Sequence, residues 1–256
     1  MTDRKFANTL ARGLSVLRAF RVSDNGLTRT ELVVRTGLAP ATITRLTHTL
    51  LELGYLSQYG NMLRLGPATF ALSSVAGASS SFLDIAEAPL QSLADRTKTL
   101  LVLSVPDATS MTVVRTWRPK DVASVWLEPG NRIPIADSST GLAYLAALNN
   151  ARFEKLESRE DWRDLRGEGR GQLARQGYTF VQGSARYTQS MNAVAHPFHA
   201  STLGEPVVFT CGATPEMLSD KRIAEEVGPA LREFVRDLEL QTGAPRTYEE
   251  TQRRIP

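Results

Sequence analysis

The chain has 256 residues, 42% of them hydrophobic and 22% charged, a balance that suits one or two domains cored without disulfide or metal staples and excludes global disorder and fibrous repeats. Its net charge of +3 is uneven: residues 1–65 carry nine Lys/Arg against four acids, the remainder 21 against 23. A small basic part joined to a near-neutral larger part is the pattern of a polyanion binder attached to something else. No run approaches the ~18 unbroken apolar residues of a membrane helix, and no apolar stretch follows the charged N-terminus as a signal peptide requires. The single cysteine, Cys211, cannot close an internal disulfide. The expectation is a cytoplasmic chain with no membrane partner.

Leu10, Leu14, Leu17 and Phe20 recur at near-helical spacing and predict an amphipathic helix that ends before the turn at Ser23-Asp24-Asn25-Gly26. Thr28-Arg29-Thr30-Glu31 has the spacing of a capping box and opens a short second helix that Gly37 stops. A third helix is expected from Pro40 to about Leu53, ended by Gly54. Its predicted buried stripe is Ile43, Leu46, Leu50 and Leu53. Its opposite face carries Thr42, Thr44, Arg45, His48 and Thr49, small or basic with no acid among them. Two short helices joined tightly, the second with such a face, form a helix-turn-helix whose second member enters the major groove. Period-two alternation around Tyr59-Gly60-Asn61 then predicts a β-hairpin, with Leu63 and Leu65 inward and Met62 and Arg64 outward. Three helices and a hairpin make a winged helix-turn-helix.

Beyond it, residues 67–78 are expected to be helical and Ser79-Ser80-Ser81 linker-like. A helix is predicted over 83–97, then strands over 99–105, 111–117 and 122–127. Helices at 140–148, 151–156 and 165–176 follow, with strands at 178–181, 191–198 and 206–211 and an amphipathic helix over 221–242. Six strands flanked by helices give an α+β domain. No catalytic or metal residues are assigned. Cys211 follows a strand without a nucleophile motif. His196 and His199 point to opposite faces of a strand with no further ligand at metal spacing. Gly167-Glu168-Gly169-Arg170-Gly171 does not follow a strand as a dinucleotide fingerprint must. An enzyme or metabolite carrier with an N-terminal assembly domain stays open as the alternative.

Several ordered runs are similar to one family. Ala11-Arg12-Gly13-Leu14-Ser15-Val16-Leu17, Gly37-Leu38-Ala39-Pro40-Ala41-Thr42-Ile43-Thr44-Arg45-Leu46 and Leu53-Gly54-Tyr55-Leu56 resemble the DNA-binding domain of the IclR family of bacterial transcriptional regulators. Gly130-Asn131-Arg132-Ile133-Pro134-Ile135, Ser139-Thr140-Gly141-Leu142-Ala143 and Asn192-Ala193-Val194-Ala195-His196-Pro197 resemble its effector domain, so the likeness spans residues 8–241. The resemblance implies an N-terminal winged helix-turn-helix and a C-terminal GAF-like antiparallel-sheet effector domain. It implies a homodimer or homotetramer, repressor or activator, that binds a small organic molecule; read with the serine turn described below, that effector is expected to be a small organic or aromatic acid, and no cofactor is expected. Two departures stand out: Pro40, where the family often carries a basic residue, and Gln182-Gly183-Ser184, where it carries acids.

The expected organisation is a DNA-binding domain at 1–66, a linker helix at 67–82, an effector domain at 83–243 and a flexible tail at 244–256. Thr28, Arg29, Thr42, Thr44, Arg45, His48 and the wing residue Arg64 are the expected contacts to double-stranded DNA bearing an inverted repeat. Asp137-Ser138-Ser139-Thr140-Gly141 has the composition of a helix N-cap and first turn, whose free amides can hold an anion. The effector site is therefore expected at Ser138, Ser139 and Thr140, with Ala193 and Cys211 placed beside it by the resemblance.

Overall fold

The computed structural model describes residues 6–78, 81–122, 127–156, 161–182, 186–200 and 202–244. The chain divides into two compact units, 1–79 and 80–256.

In the first unit, α1 (Asn8–Leu17), α2 (Arg29–Thr36) and α3 (Pro40–Glu52) precede a hairpin of β1 (Leu56–Tyr59) and β2 (Met62–Leu65), and α4 (Pro67–Ala78) follows. The capping box forms as expected: the Glu31 amide donates to the Thr28 hydroxyl and the Thr28 amide to the Glu31 carboxylate at 2.7 Å. Pro40 occupies the first turn of α3, where its missing N–H costs nothing. Gly60, at φ +60°, takes the first of two loop positions between paired Tyr59 and Met62, a conformation nearly free to glycine alone. Val16, Leu27, Leu32, Ile43, Leu56 and Leu63 close the core.

Several sequence expectations change here. Helix α1 ends at Leu17, ahead of Phe20, because the chain turns to meet Arg35. That guanidinium takes the Ala19 carbonyl at 2.8 Å and grips Asp24 through both nitrogens at 2.6 and 2.8 Å. The inward face of α1 is Gly13 and Val16, while Leu10 (63% exposed) and Leu14 face out. Leu53 is exposed because α3 has already ended at Glu52. Leu65 is 46% exposed at the end of β2, the hairpin core being filled by Leu56 and Leu63.

The second unit begins with α5 (Ser81–Thr97), β3 (Leu100–Asp107), β4 (Ser110–Trp117) and β5 (Arg132–Pro134). It continues through α6 (Ser139–Ala147), α7 (Asn150–Phe153), α8 (Trp162–Gln176), β6 (Thr179–Phe180), β7 (Asn192–His199) and β8 (Pro206–Ala213). A short α9 (Asp220–Arg222), a π turn (Ile223–Val227) and α10 (Gly228–Thr242) close it. The strands form one antiparallel sheet in the order β5-β4-β3-β8-β7-β6. Strand β5 was not expected, since three residues are too few to show alternation. The strand expected at 122–127 falls largely at 123–126, and the tail at 245–256; both lie outside the described residues.

Helices cover both faces of the sheet. Leu101, Leu103, Val194, Phe209 and Cys211 pack with α5 and α10 on one face. Leu100, Val102, Met111, Ile133 and Val208 pack with Ala143, Tyr144 and Leu145 of α6 on the other. The closing helix is interrupted because Pro229 has no N–H to give Glu225 and its ring crowds that carbonyl. The π turn immediately before it, closed by Gly228 N–H to Ile223 O, absorbs the misfit.

Helix α6 positions the site. All nine of its residues are buried, and Arg166 and Arg170 of α8 satisfy its C-terminal end. Arg166 donates to the Leu148 carbonyl at 2.7 Å and lies over the Phe153 ring at 4.4 Å. Arg170 donates to Leu148 at 2.9 Å and to Ala146 at 3.2 Å. Burial lowers the Arg166 pKa to about 10, yet both cations remain protonated and complement the negative end of the helix dipole. The positive end points to the opposite side, into a cleft.

Candidate DNA-reading surface and effector cleft

On the first unit, Thr44, Arg45 and His48 stand exposed along α3, with Thr42 half-buried beside them. The Thr44 hydroxyl donates to Pro40 O at 3.0 Å, so its methyl and backbone, more than a free hydroxyl, are offered outward. Arg12 of α1 lines the same surface notch as Thr42, Arg45 and Thr49. Sequence reasoning counted Arg12 toward the basic surplus and within the Ala11–Leu17 run, but assigned it no DNA contact, because nothing in its spacing showed that it would lie beside α3.

The remaining expected DNA contacts are engaged within the unit. Thr28 is consumed by the capping box. The Arg64 guanidinium folds back on Asn25, donating to its side-chain oxygen at 2.8 Å and its carbonyl at 3.2 Å. Arg29 turns inward between Thr47 and Gln58. Thus the structure gathers Thr42, Thr44, Arg45 and His48 on one surface and gives Thr28, Arg29 and Arg64 partners of their own.

In the second unit, a narrow cleft opens at the N-terminus of α6. Leu100, Val102, Ile133, Ala193, Thr210 and Gly212 form its sheet wall. Alternate residues reach it because side chains of a strand point to one face every second position. Ser138, Ser139 and Thr140 lie at its floor, and Asp137, Arg186 and Tyr187 at its rim.

Cys211 is not part of it. Ala193 pairs with Gly212, whereas Cys211 pairs with Val194, and the two pairs face opposite sides of the sheet. Cys211 is fully buried in the core against α5 and α10. Burial pushes its thiol up to about 12, which leaves it a neutral packing group. His196 is likewise held neutral, its pKa lowered to about 4 chiefly by burial. Cys211, fully buried, offers no accessible nucleophile.

The hydroxyls at the floor of the cleft all hold the protein together. Ser138 is the N-cap, accepting from the Gly141 amide at 2.9 Å and donating to Pro134 O. Asp137, in the left-handed region at φ +58°, precedes the cap and does not supply it. Ser139 Oγ donates to Ala193 O at 2.7 Å and accepts from the Val181 amide. Thr179 ties the Ser139 carbonyl, and Thr140 shares a hydrogen bond with Thr210 at 2.9 Å. Gly141 lets the turn sit against the loop from β5: a Cβ there would lie 2.0 Å from Ile135 O. The hydroxyls thus fix the turn, while the Ser139 and Thr140 amides make no hydrogen bond among the described residues. Arg186, held by Met191 O at 3.2 Å and Gln189 at 3.1 Å, adds a cation to the lining. It escaped sequence reasoning because it arrives from a loop 46 residues beyond Thr140.

A basic winged helix-turn-helix in one unit and an antiparallel sheet with a polar-floored cleft in the other define a DNA-binding regulator with its own sensor. Residues 9–60 match the IclR helix-turn-helix domain. The chain is 25% identical over 252 residues to the HTH-type transcriptional regulator TsaQ1/TsaQ2 of Comamonas testosteroni, covering 93% of this chain and 90% of that one. Among solved structures it resembles an IclR family transcriptional regulator from Brucella abortus, with 28% identity, a TM-score of 0.70, and 95% and 94% of the two chains covered. It also shares the fold of an IclR homologue from Microbacterium hydrocarbonoxydans, solved with 4-hydroxybenzoate, at 20% identity and a TM-score of 0.63 over 90% and 99% of the chains. Residues 9–60 thus carry an IclR helix-turn-helix domain, and the chain as a whole is similar to IclR-family transcriptional regulators, which bind DNA and are not enzymes. Among the described residues no helix is long and apolar enough to cross a membrane.

Proposed function

We propose that this regulator senses a small organic acid, aromatic in its preferred form, and couples its capture to binding at an inverted-repeat operator. The observation that carries the reading is the floor of the cleft, where three hydroxyls are spent on holding the turn and two amides at the positive end of α6 are left for a ligand. A carboxylate on the Ser139 and Thr140 amides would gain the helix-end field, about 0.3–2 kcal/mol. Micromolar affinity requires about 8 kcal/mol. The balance falls to direct hydrogen bonds, to Arg186 and to a ring packed on Leu100, Val102 and Ile133. Asp137 at the rim opposes an anion, and Arg186 offsets it. The Microbacterium homologue's 4-hydroxybenzoate supports this class of ligand for the fold.

Arg45 and His48 are the base- or phosphate-facing side chains of this reading, with Arg12 alongside. One module buries only about 600–1,000 Å² on DNA, so the active form is at least a dimer. Helix α4 supports that, since none of its residues is buried and Phe70 (75% exposed), Leu72 and Val75 are each exposed apolar side chains.

Calorimetry with 4-hydroxybenzoate and its uncharged amide, combined with gel shifts on the DNA upstream of the regulator's own gene, tests the whole. The acid should bind and the amide should not, Ala193→Phe should abolish that binding while leaving the shift, and Arg45→Ala should weaken the shift by about 1–3 kcal/mol. Equal binding of acid and amide would refute the anion site, and an unchanged shift with Arg45→Ala would remove α3 from recognition.

A further inference from the structure

A chain of four hydrogen bonds runs across the first unit from the exposed face of α3 to the tip of the hairpin. Buried Thr47 donates to the Thr44 carbonyl at 3.2 Å. Arg29 Nε donates to the Thr47 hydroxyl at 3.2 Å, and Arg29 Nη2 donates to the Gln58 side-chain oxygen at 3.2 Å. The Gln58 amide then donates to Gly60 O, at the turn, at 2.7 Å. Arg29 joins elements 18 and 29 residues away in sequence.

Two features argue that this is a built strut. An arginine at the first position of a helix faces the positive end of the dipole, which disfavours it, so its place on α2 calls for a compensating partner set. A two-stranded hairpin is also marginal on its own. This one is secured as far as its Gln58–Leu63 pair by the Leu27–Leu63 bridge, with both bonds at 2.8 Å, and by the buried Leu56 and Leu63. Beyond that pair, its tip projects Tyr59, 84% exposed, and the Arg29–Gln58–Gly60 bonds tie the Gly60 carbonyl of the tip back to α2.

We infer that Arg29 is a positioning residue that locks the wing tip, and with it Tyr59, in register with the recognition helix, so that one duplex meets both at once. This rests on the reading of the hairpin as a DNA-facing wing. The planar fork is essential, because Nε and Nη2 address two partners in fixed directions, which the single ammonium of lysine cannot do. The inference separates Arg29 from a plain phosphate contact, since a strut acts through geometry and not through neutralised charge.

Fluorescence anisotropy of the full chain distinguishes the two, using a duplex selected by the wild-type protein from a random library and an unrelated duplex, across a salt series. Arg29→Ala, Arg29→Lys and Gln58→Ala should each weaken the selected duplex about tenfold, and Arg29→Ala/Gln58→Ala no more than either alone. Affinity for the unrelated duplex and the salt slope should stay at wild-type values. A slope reduced by about 0.9 in Arg29→Ala, equal weakening on both duplexes, full activity of Arg29→Lys and a silent Gln58→Ala would identify a phosphate contact and overturn the proposal. Gln58→Ala keeps every charge and removes only an exposed side chain, so it carries the test even if Arg29→Ala fails to fold. Failure of the wild-type protein to select any duplex would instead strike the DNA-binding reading.

Discussion

The two units place their polar side chains in opposite ways. In the first, hydrogen-bonding groups lie at the surface and at helix ends: the Thr28–Glu31 box, the Arg35–Asp24 pair, Arg64 on Asn25, and the Arg29 strut. Its hydrophobic core is entirely aliphatic, and Thr47 is the one buried polar side chain among the described residues of this unit. In the second, Ser139, Thr140, Thr179, Thr210, Asn192 and Gln172 are buried, and most are bonded to one another or to backbone around the foot of α6. A surface that reads another molecule needs rigid presentation, which cheap surface bonds provide. A cleft that recognises a polar ligand needs polar groups taken out of water, and each must be satisfied or it costs about 1–3 kcal/mol. The difference fits the proposed roles, in which the first unit presents a surface to DNA and the second holds a ligand.

Three measurements would break or sharpen that contrast. The largest effect is expected from Gly141→Ala. Its methyl would meet Ile135 O at 2.0 Å, an overpacking that no rotamer relieves, and the second unit should lose about 3 kcal/mol or more in denaturant unfolding followed by circular dichroism. The first unit's transition should be unmoved, because its core draws only on residues 16–63; parallel loss in both would dissolve the division of labour.

Thr140→Val should cost the second unit about 1–2 kcal/mol, because the buried Thr210 hydroxyl loses its partner. The double variant Thr140→Val/Thr210→Val removes both groups and should recover most of that loss. A double variant as unstable as the sum of the singles would mean the pair is not a coupled hydrogen bond. The backbone amide at 140 survives in both, so 4-hydroxybenzoate affinity, read by calorimetry, should change little.

The smallest effect tests the surface bonding of the first unit. The Arg35 guanidinium, hydrogen-bonded to Asp24, holds its carboxyl below the ordinary 3.8. A lowered folded-state pKa contributes stability that is fully present above the unfolded value and lost as pH falls through the folded one. Unfolding of the first unit should therefore weaken below about pH 4 by about 1 kcal/mol from this pair. Asp24→Asn should be less stable at neutral pH and show a flatter decline on acidification; identical pH profiles would show that the pair contributes nothing measurable.

Local chemistry made much of the molecule legible. The capping box at Thr28–Glu31, the proline start of α3, the two-residue hairpin loop and the serine turn before α6 are each set by residues within four positions of one another, so spacing alone reveals them. Helix α4 was also read to its observed bounds, Pro67–Ala78, although its apolar residues turned out to be uncovered within the unit.

What the tertiary structure alone decided is which partners distant residues find. Strand pairing put Gly212, and not Cys211, opposite Ala193, because a shift of one position sends a side chain to the other face of the sheet. The loop carrying Arg186 joined the cleft across 46 residues of sequence, and Arg29 turned from solvent to bridge α3 and the wing. Periodicity reports that a side chain leaves the chain on one side or the other. The groups waiting there depend on strand register and helix packing, which arise from the summed burial of many residues and are written in no short stretch of sequence.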